Sequence, residues 1–254
     1  MAGALGWSES KLSRIETART GITESDLDRL LTAYEARRED QARLRDLARR
    51  GRIRAWWAPY RSSVPDPYDE YLALEAEAVA MAEWECQVVP GLLQTDEYAR
   101  AVIDAGVDVA TPEMAARRLA LRMARQSVLT RDPPVRLSVV VDEAALRREI
   151  GGRDVLDRQL QRLFDASQRP GVEILVLPFE AGAHAALTES FVIFDFAAGT
   201  RAPVVHCEGI TGGQFRTRPE DVRLYRRAYD DLRSRALPVE ASRAVIARSG
   251  DSPS

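Results

Sequence analysis

The side chains best suited to chemistry fall into short clusters. Ser8, Glu9, Ser10, Lys11, Ser13 and Arg14 share one stretch, LGWSESKLSRIE. On a helix opened by Ser8, their hydroxyl, carboxylate and cationic groups gather at the N-terminal end and outer side. Such a helix could meet base edges in a DNA major groove while its cations hold phosphates. An ordinary surface helix has the same layout. His206 and Cys207 adjoin in VVHCE, but strand alternation sends them to opposite faces, which disfavours a His–Cys nucleophile pair. Glu208 is expected to share the His206 face only poorly. Glu75, Glu77, Glu83 and Glu85 lie close in sequence, yet within one helix 75 and 85 do not share a narrow face. A di-metal carboxylate site would also need histidine partners on further helices. His184, in EAGAHAALTES, is either a surface histidine or part of a loop covering a ligand. GITGG at 209–213 would form a backbone anion nest or a plain β-turn. No GxSxG, Walker loop, GxGxxG or HExxH occurs, so the expectation is a non-enzyme that needs no cofactor.

The elements that must position these groups divide the chain in two. Residues 1–50 read as a partial helix-turn-helix with following helices. Ser8 or Ser10 caps the first helix, which carries Leu12 and Ile15 inward and stops at Gly21. Thr23 caps the second, with Asp26 as an acidic variant of the capping box. Its Leu27, Leu30, Leu31 and Tyr34 recur at helical spacing and form the expected buried face. A charged third helix, roughly 38–50, ends at Gly51, with Leu44 and Leu47 as its apolar anchors. Residues 51–69 make an aromatic and proline-rich junction in which Trp56, Trp57 and Tyr60 pack against a second domain or offer a stacking platform for bases.

Residues 70–249 begin with helices. YLALEAEAVAMAEWEC reads as one Ala/Glu/Leu run that PGLLQT ends, and Thr95 and Thr111 cap two further helices. In the latter, Met114, Leu119, Met123 and Val128 pack, while Arg117, Arg118, Arg122 and Arg125 mostly face water. From 135 onward VRLSVVVDE, VEILVLPF, SFVIFDFA, APVVHCEG and a short TGGQFRT read as strands. The amphipathic helix at 155–167 aligns Leu156, Leu160, Leu163 and Phe164. A helix opened by Pro219 carries Val222, Tyr225, Tyr229 and Leu232, and a short one follows Pro238. Residues 250–254 form a flexible tail. Helices preceding a cluster of neighbouring strands define an α+β fold.

Composition narrows the classes further. In a chain of 254 residues, 45% are apolar and 30% charged. That is an ordinary globular balance, large enough to bury a core without staples. No apolar run reaches the ~20 residues of a spanning helix, so no membrane association is expected. Cys86 and Cys207 form no closely spaced pair, which suits a reducing cytoplasm. Residues 1–61 carry a balance of +4 and the remainder -7. A basic head on an acidic body is one reading of that asymmetry, and chance variation between two solvated helical surfaces is the other. Lys11 is the one lysine among 36 basic residues, and abundant Arg and Ala suit a high-GC bacterial genome.

The stretch LGWSESKLSRIE resembles the recognition-helix region of the Xre/Cro-type helix-turn-helix regulators of actinomycetes. WWAPYRSSVPDPYDEYLALEAEA, VVPGLLQTDEYARAVI and VVHCEGITGGQFRTRPEDVRLYRRAYDDLRSRAL resemble DUF5753, the domain that accompanies that helix-turn-helix. The resemblance spans nearly the whole chain. It implies a transcriptional regulator that contacts double-stranded DNA through Ser8, Glu9, Ser10, Lys11, Ser13 and Arg14. It also implies an antitoxin-like setting, a small DUF397-like protein partner and a possible homodimer. A body acting as a protein- or ligand-binding regulatory module without DNA is the alternative. Relatives begin with a full first helix and the start of a second, where only Met1–Ala4 precede LGWS. The expectation is therefore that Leu12, Ile15, Leu27 and Leu30 lack cover, at roughly 1.5–3 kcal/mol for each large side chain fully exposed. Duplex binding by such a head would be weak and salt-sensitive.

Overall fold

A computed structural model describes residues 5–17, 22–55, 68–107, 109–210 and 212–250, with 42, 46, 49–55 and 250 as backbone alone. The chain forms two compact units, Met1–Arg61 and Ser62–Ser254. Residues 56–60 of the aromatic junction, and with them Trp56, Trp57 and Tyr60, lie outside the described residues, as does the tail.

In the first unit α1 (Glu9–Glu16) starts as its residues dictate. Gly6 takes a positive φ of 66° before it, and the Ser8 hydroxyl accepts the Lys11 N–H at 3.2 Å. Likewise α2 (Glu24–Ala33) is capped by Thr23, which accepts from the Asp26 N–H at 3.1 Å. Leu12 and Leu27 are each 8% exposed, Leu31 4% and Leu5 6%. The expected loss of cover is therefore not met at Leu12 and Leu27, which are both buried. Three other expectations change. Tyr34 is 53% exposed and donates its hydroxyl proton to Glu16 instead of packing inward. The third helix, α3 (Arg38–Ala55), runs on through Gly51; one interior glycine costs about 1 kcal/mol, too little to stop a helix of good formers. Leu44 and Leu47 are 40% and 52% exposed, so Arg45 pairing with Asp28 at 3.0 Å is the anchor seen instead.

The second unit is built on a mixed sheet of six strands among the described residues. Its strands are β1 (Ala80–Glu85), β2 (Arg136–Asp142), β3 (Val172–Leu177), β4 (Phe191–Asp195), β5 (Val204–Cys207) and β6 (Gln214–Arg216), in the order β3-β2-β1-β4-β5-β6. The first three are parallel and the rest antiparallel. Parallel neighbours need long crossovers. Here α5 (Asp96–Asp104) and α6 (Pro112–Arg125) join β1 to β2, and α7 (Glu143–Arg147) and α8 (Arg153–Ser167) join β2 to β3. The expected helix over YLALEAEAVAMAEWEC stops early. Only α4 (Tyr68–Glu77) is helical, and Ala80–Glu85 forms the interior strand β1. Ala, Met and Glu favour helix by a few tenths of a kcal/mol each, which two flanking strands and a fully buried Trp84 outweigh.

One face of the sheet carries Met81, Val139, Val141, Ile174, Val176, Val192, Phe194 and Val204, packed under α4, α8 and α10 (Val239–Gly250). The other carries Ala82, Trp84, Val140, Leu175, Ile193 and Val205 against Tyr229 and Leu232 of α9 (Pro219–Arg235). The β3 edge is closed by the chain between α9 and α10. Leu237 N–H donates to the Val176 carbonyl at 2.8 Å, and Val176 N–H donates to Ser242 Oγ at 3.0 Å. An edge so capped offers no template for further pairing.

The PGLLQT string acquires a physical reason. Leu92, Leu93 and Gln94 are buried to 1%, 0% and 2% exposure. Gln159, itself fully buried, accepts the Thr95 N–H at 2.7 Å and donates to the Leu93 carbonyl at 2.9 Å. Arg125 lies beside Gly91 and is not the water-facing residue its helix position suggests. It is 5% exposed and forks onto Glu75, with Nε–Oε1 at 2.9 Å and Nη2–Oε2 at 2.7 Å. Two further donors go to the hydroxyls of Tyr68 and Tyr71. Arg125→Ala should lower unfolding stability by about 3–5 kcal/mol, since it leaves the Glu75 carboxylate buried alone. Replacing both partners, Glu75→Leu with Arg125→Met, should recover most of that loss in urea titrations. A single mutant as stable as the wild type would contradict the reading.

Candidate functional site

Among the described residues, polar groups gather on α1 and on one face of the sheet. On α1, Ser8, Glu9, Ser10, Ser13 and Arg14 are exposed, and Lys11 is half-buried. Lys11 is not an outward free cation: its Nζ pairs with Asp26 at 2.9 Å and stands 4.4 Å from the Trp7 ring centre. That pairing, more than Thr23, holds the Asp26 carboxyl below its usual range. Asp26 thus links α1 to α2 instead of closing a simple capping box. The outer surface of α1 therefore offers Arg14 as its exposed cation, with three serine hydroxyls and Glu9 beside it.

The second place is inside the other unit. Ile174, Val139, Glu83, Val192, His206 and Phe215 form one continuous row across the sheet. Alternation along β1 returns Glu85 to the Glu83 face, and Ser190 and Glu208 lie just outside the paired ends of β4 and β5. Glu83 is 4% exposed, and among the described residues its Oε2 has no hydrogen-bond partner. Burial above all pushes its carboxyl up to about 8; Arg125 works against the rise, and Glu75 and Glu208 add to it. Glu85 is raised as well, by burial and by Glu83, against a hydrogen bond from Ser190. His206 is pressed between aromatic rings, 4.7 Å from Tyr71 and 4.9 Å from Phe215. A Cβ on Gly213 would fall 1.8 Å from its Nε2, so only glycine lets the backbone close over the imidazole. Burial lowers His206 to about 4 and keeps it neutral, although Glu208 acts the other way. Glu208 is exposed just beyond the end of β5, and its charge still reaches His206.

The sequence pointed at these acids but placed them on one helix. Reading 80–85 as a strand, with Glu83 and Glu85 two apart and Trp84 opposed, is the signal that would have found them. His206 and Cys207 do part to opposite faces, with Cys207 Sγ 3.2 Å from the Tyr225 hydroxyl. Cys86 and Cys207 are both free thiols. His184 is half-buried, its ring 5.1 Å from Trp84 and its Nδ1 accepting the Ala186 N–H. Residue 211 of GITGG lies outside the described residues. Among the described residues no group of three His, Cys, Asp or Glu could hold a metal ion, and no helix is long and apolar enough to cross a membrane.

Comparison with known families gives two matches. Residues 68–248 match the domain of unknown function DUF5753, and residues 1–44 match a helix-turn-helix domain. No curated protein and no solved structure matches the chain.

The two shifted groups set opposite limits on stability. Glu83 is raised from 4.5 to about 8, so the folded state holds a proton that the unfolded state has released; stability falls as pH rises through that window. His206 is lowered from 6.5 to about 4, so below 6.5 the unfolded state takes up the extra proton and stability falls as pH drops. From 6.5 to 8 the acids alone act. Thermal melts over that range should show wild-type stability declining with pH, and Glu83→Gln should flatten the decline. An unchanged slope in Glu83→Gln would remove the assignment.

Proposed function

Because the chain belongs to the DUF5753 family through residues 68–248, with a helix-turn-helix match ahead of it, we propose that it is a DNA-binding transcriptional regulator. The observation that carries the reading is α1 itself: a serine-capped helix presenting Ser8, Glu9, Ser10, Ser13 and Arg14 outward while Leu12 is buried. Its N-terminal hydroxyls and Glu9 would meet base edges, and Arg14 would hold a phosphate. Lys11 contributes by fixing α1 on α2 through Asp26, and reaches DNA only by giving up that pair.

The finer picture follows the resemblance. The regulator would be of the actinomycete Xre/Cro type, cytoplasmic and antitoxin-like, with a small DUF397-like protein as partner and a homodimer on DNA. The acidic body would attract a basic partner. The buried acid and aromatic cluster on the sheet favours a body that reports a signal to the head, and the same observation supports the alternative of a binding module that works without DNA.

Binding to a duplex from the region upstream of its own gene, followed by anisotropy across a salt series, tests this. Arg14→Ala should weaken binding and reduce the slope of log affinity against log salt by about 1, since one phosphate contact is lost. Lys11→Ala should lower the melting temperature of the first unit through loss of the Asp26 pair. Wild-type affinity and slope in Arg14→Ala would exclude α1 as the DNA-facing helix.

A further inference from the structure

Two carboxylates, Glu83 and Glu85, share one sheet face, and Glu208 lies exposed just beyond β5. Arg125 is committed to Glu75 and two tyrosine hydroxyls, and Arg122 donates to Gln94 at 2.9 Å. Glu83, Glu85 and Glu208 remain. Glu83 and His206 stand two strands apart, roughly 10 Å, and Glu83 and Glu85 two residues apart, roughly 7 Å. On the strand between Glu83 and His206 the facing residue is Val192, and the Ser190 hydroxyl accepts the Cys86 N–H at 3.1 Å. The far wall is aromatic, with Tyr71 edge-on to His206 and Phe215 behind it. Glu85 is half-buried and Glu208 exposed, so the acids run from the interior out to solvent.

We propose that this nest binds a small organic cation carrying a primary ammonium group. The unpartnered, buried Oε2 of Glu83 asks for a donor, not merely for a counter-charge. A primary ammonium supplies three donors and one positive charge, enough to serve Glu83 and Glu85 together. The Tyr71 ring is already stacked on Tyr68 and faced by the Arg125 guanidinium at 4.8 Å, so the attraction rests on the carboxylates. A bare metal ion fits less well, because no three of the described ligating residues converge on one point. His206, held neutral by its aromatic neighbours and by Gly213, adds no opposing charge. The charged groups around Glu83 are Glu75 on α4, Arg122 and Arg125 on α6, Glu85 on its own strand, and Glu208 beyond β5. The site lies within the second unit, so this inference goes beyond DNA recognition and does not rest on it.

The test is calorimetry on the full chain at pH 7 with an aliphatic monoamine, a diamine and an aromatic ethylamine. Tetramethylammonium, potassium and magnesium chlorides serve as controls. At least one primary amine should bind saturably at millimolar concentration and raise the melting temperature. Its heat should vary with the ionisation enthalpy of the buffer, because Glu83 must release its proton to receive the ammonium. Glu83→Gln should weaken that binding roughly tenfold or more and abolish the proton release. Should Glu83→Gln fail to fold, the wild-type proton release and the half-buried Glu85→Gln variant decide. No binding by any amine, equal binding by tetramethylammonium or either metal, or binding without proton release would overturn the proposal. Loss of DNA binding with amine binding intact would affect the regulator reading alone.

Discussion

The Arg125–Glu75 pair is the constraint on which the second unit turns. A guanidinium buried to 5% exposure must be met by charge and by acceptors on all sides. Glu75 and the hydroxyls of Tyr68 and Tyr71 meet it from α4, and Gly91 leaves room for it at the PGLLQT turn. The pair thereby ties α4 to the C-terminal end of α6 across the sheet face. Gln94 and Gln159 continue the polar chain toward α8 with every amide group engaged. A buried pair of this kind gives little net stability over an apolar substitute and much specificity of arrangement.

What the pair does not neutralise is as informative. Glu83 points to the same face as Tyr71 and His206, and among the described residues its Oε2 has no partner. A chain free to place valine there, as it does at Val139 and Val192 in the same row, keeps an acid instead. The uncompensated acid lies next to aromatic rings and near solvent-reaching Glu208, which is where a ligand would be received. The first unit spends its charges differently. Lys11, Asp26, Arg45 and Asp28 lock helix to helix, and the surface of α1 is left polar and exposed.

Much of this was legible from the sequence. Helix caps at Ser8, Thr23, Thr95 and Thr111 follow from local hydrogen bonding, which needs no knowledge of distant chain. The four later strands of β-branched and aromatic residues, and VRLSVVVDE, were likewise plain. The strand AMAEWE was not, because its residues favour helix and only its two neighbours, one more than 50 residues away and the other more than 100, make it a strand. Reading 70–86 as one helix then scattered Glu75, Glu83 and Glu85 and hid the site. Arg125 escaped for a related reason: three other arginines share its helix, and nothing local marks the one that Glu75 reaches. Lys11 read as a DNA-facing cation because Asp26, fifteen residues on, is close only in the folded head.

The central claim is that the interior around Arg125 carries more acid than it neutralises, with Glu83 as the excess. Carbon-13 titration of the assigned glutamate carboxyl carbons in the full chain tests it without reference to any ligand or to DNA. The account predicts a Glu83 midpoint near 8. A midpoint close to the ordinary 4.5 would mean that the carboxylate is solvated or paired, and the charge-unbalanced nest would not exist.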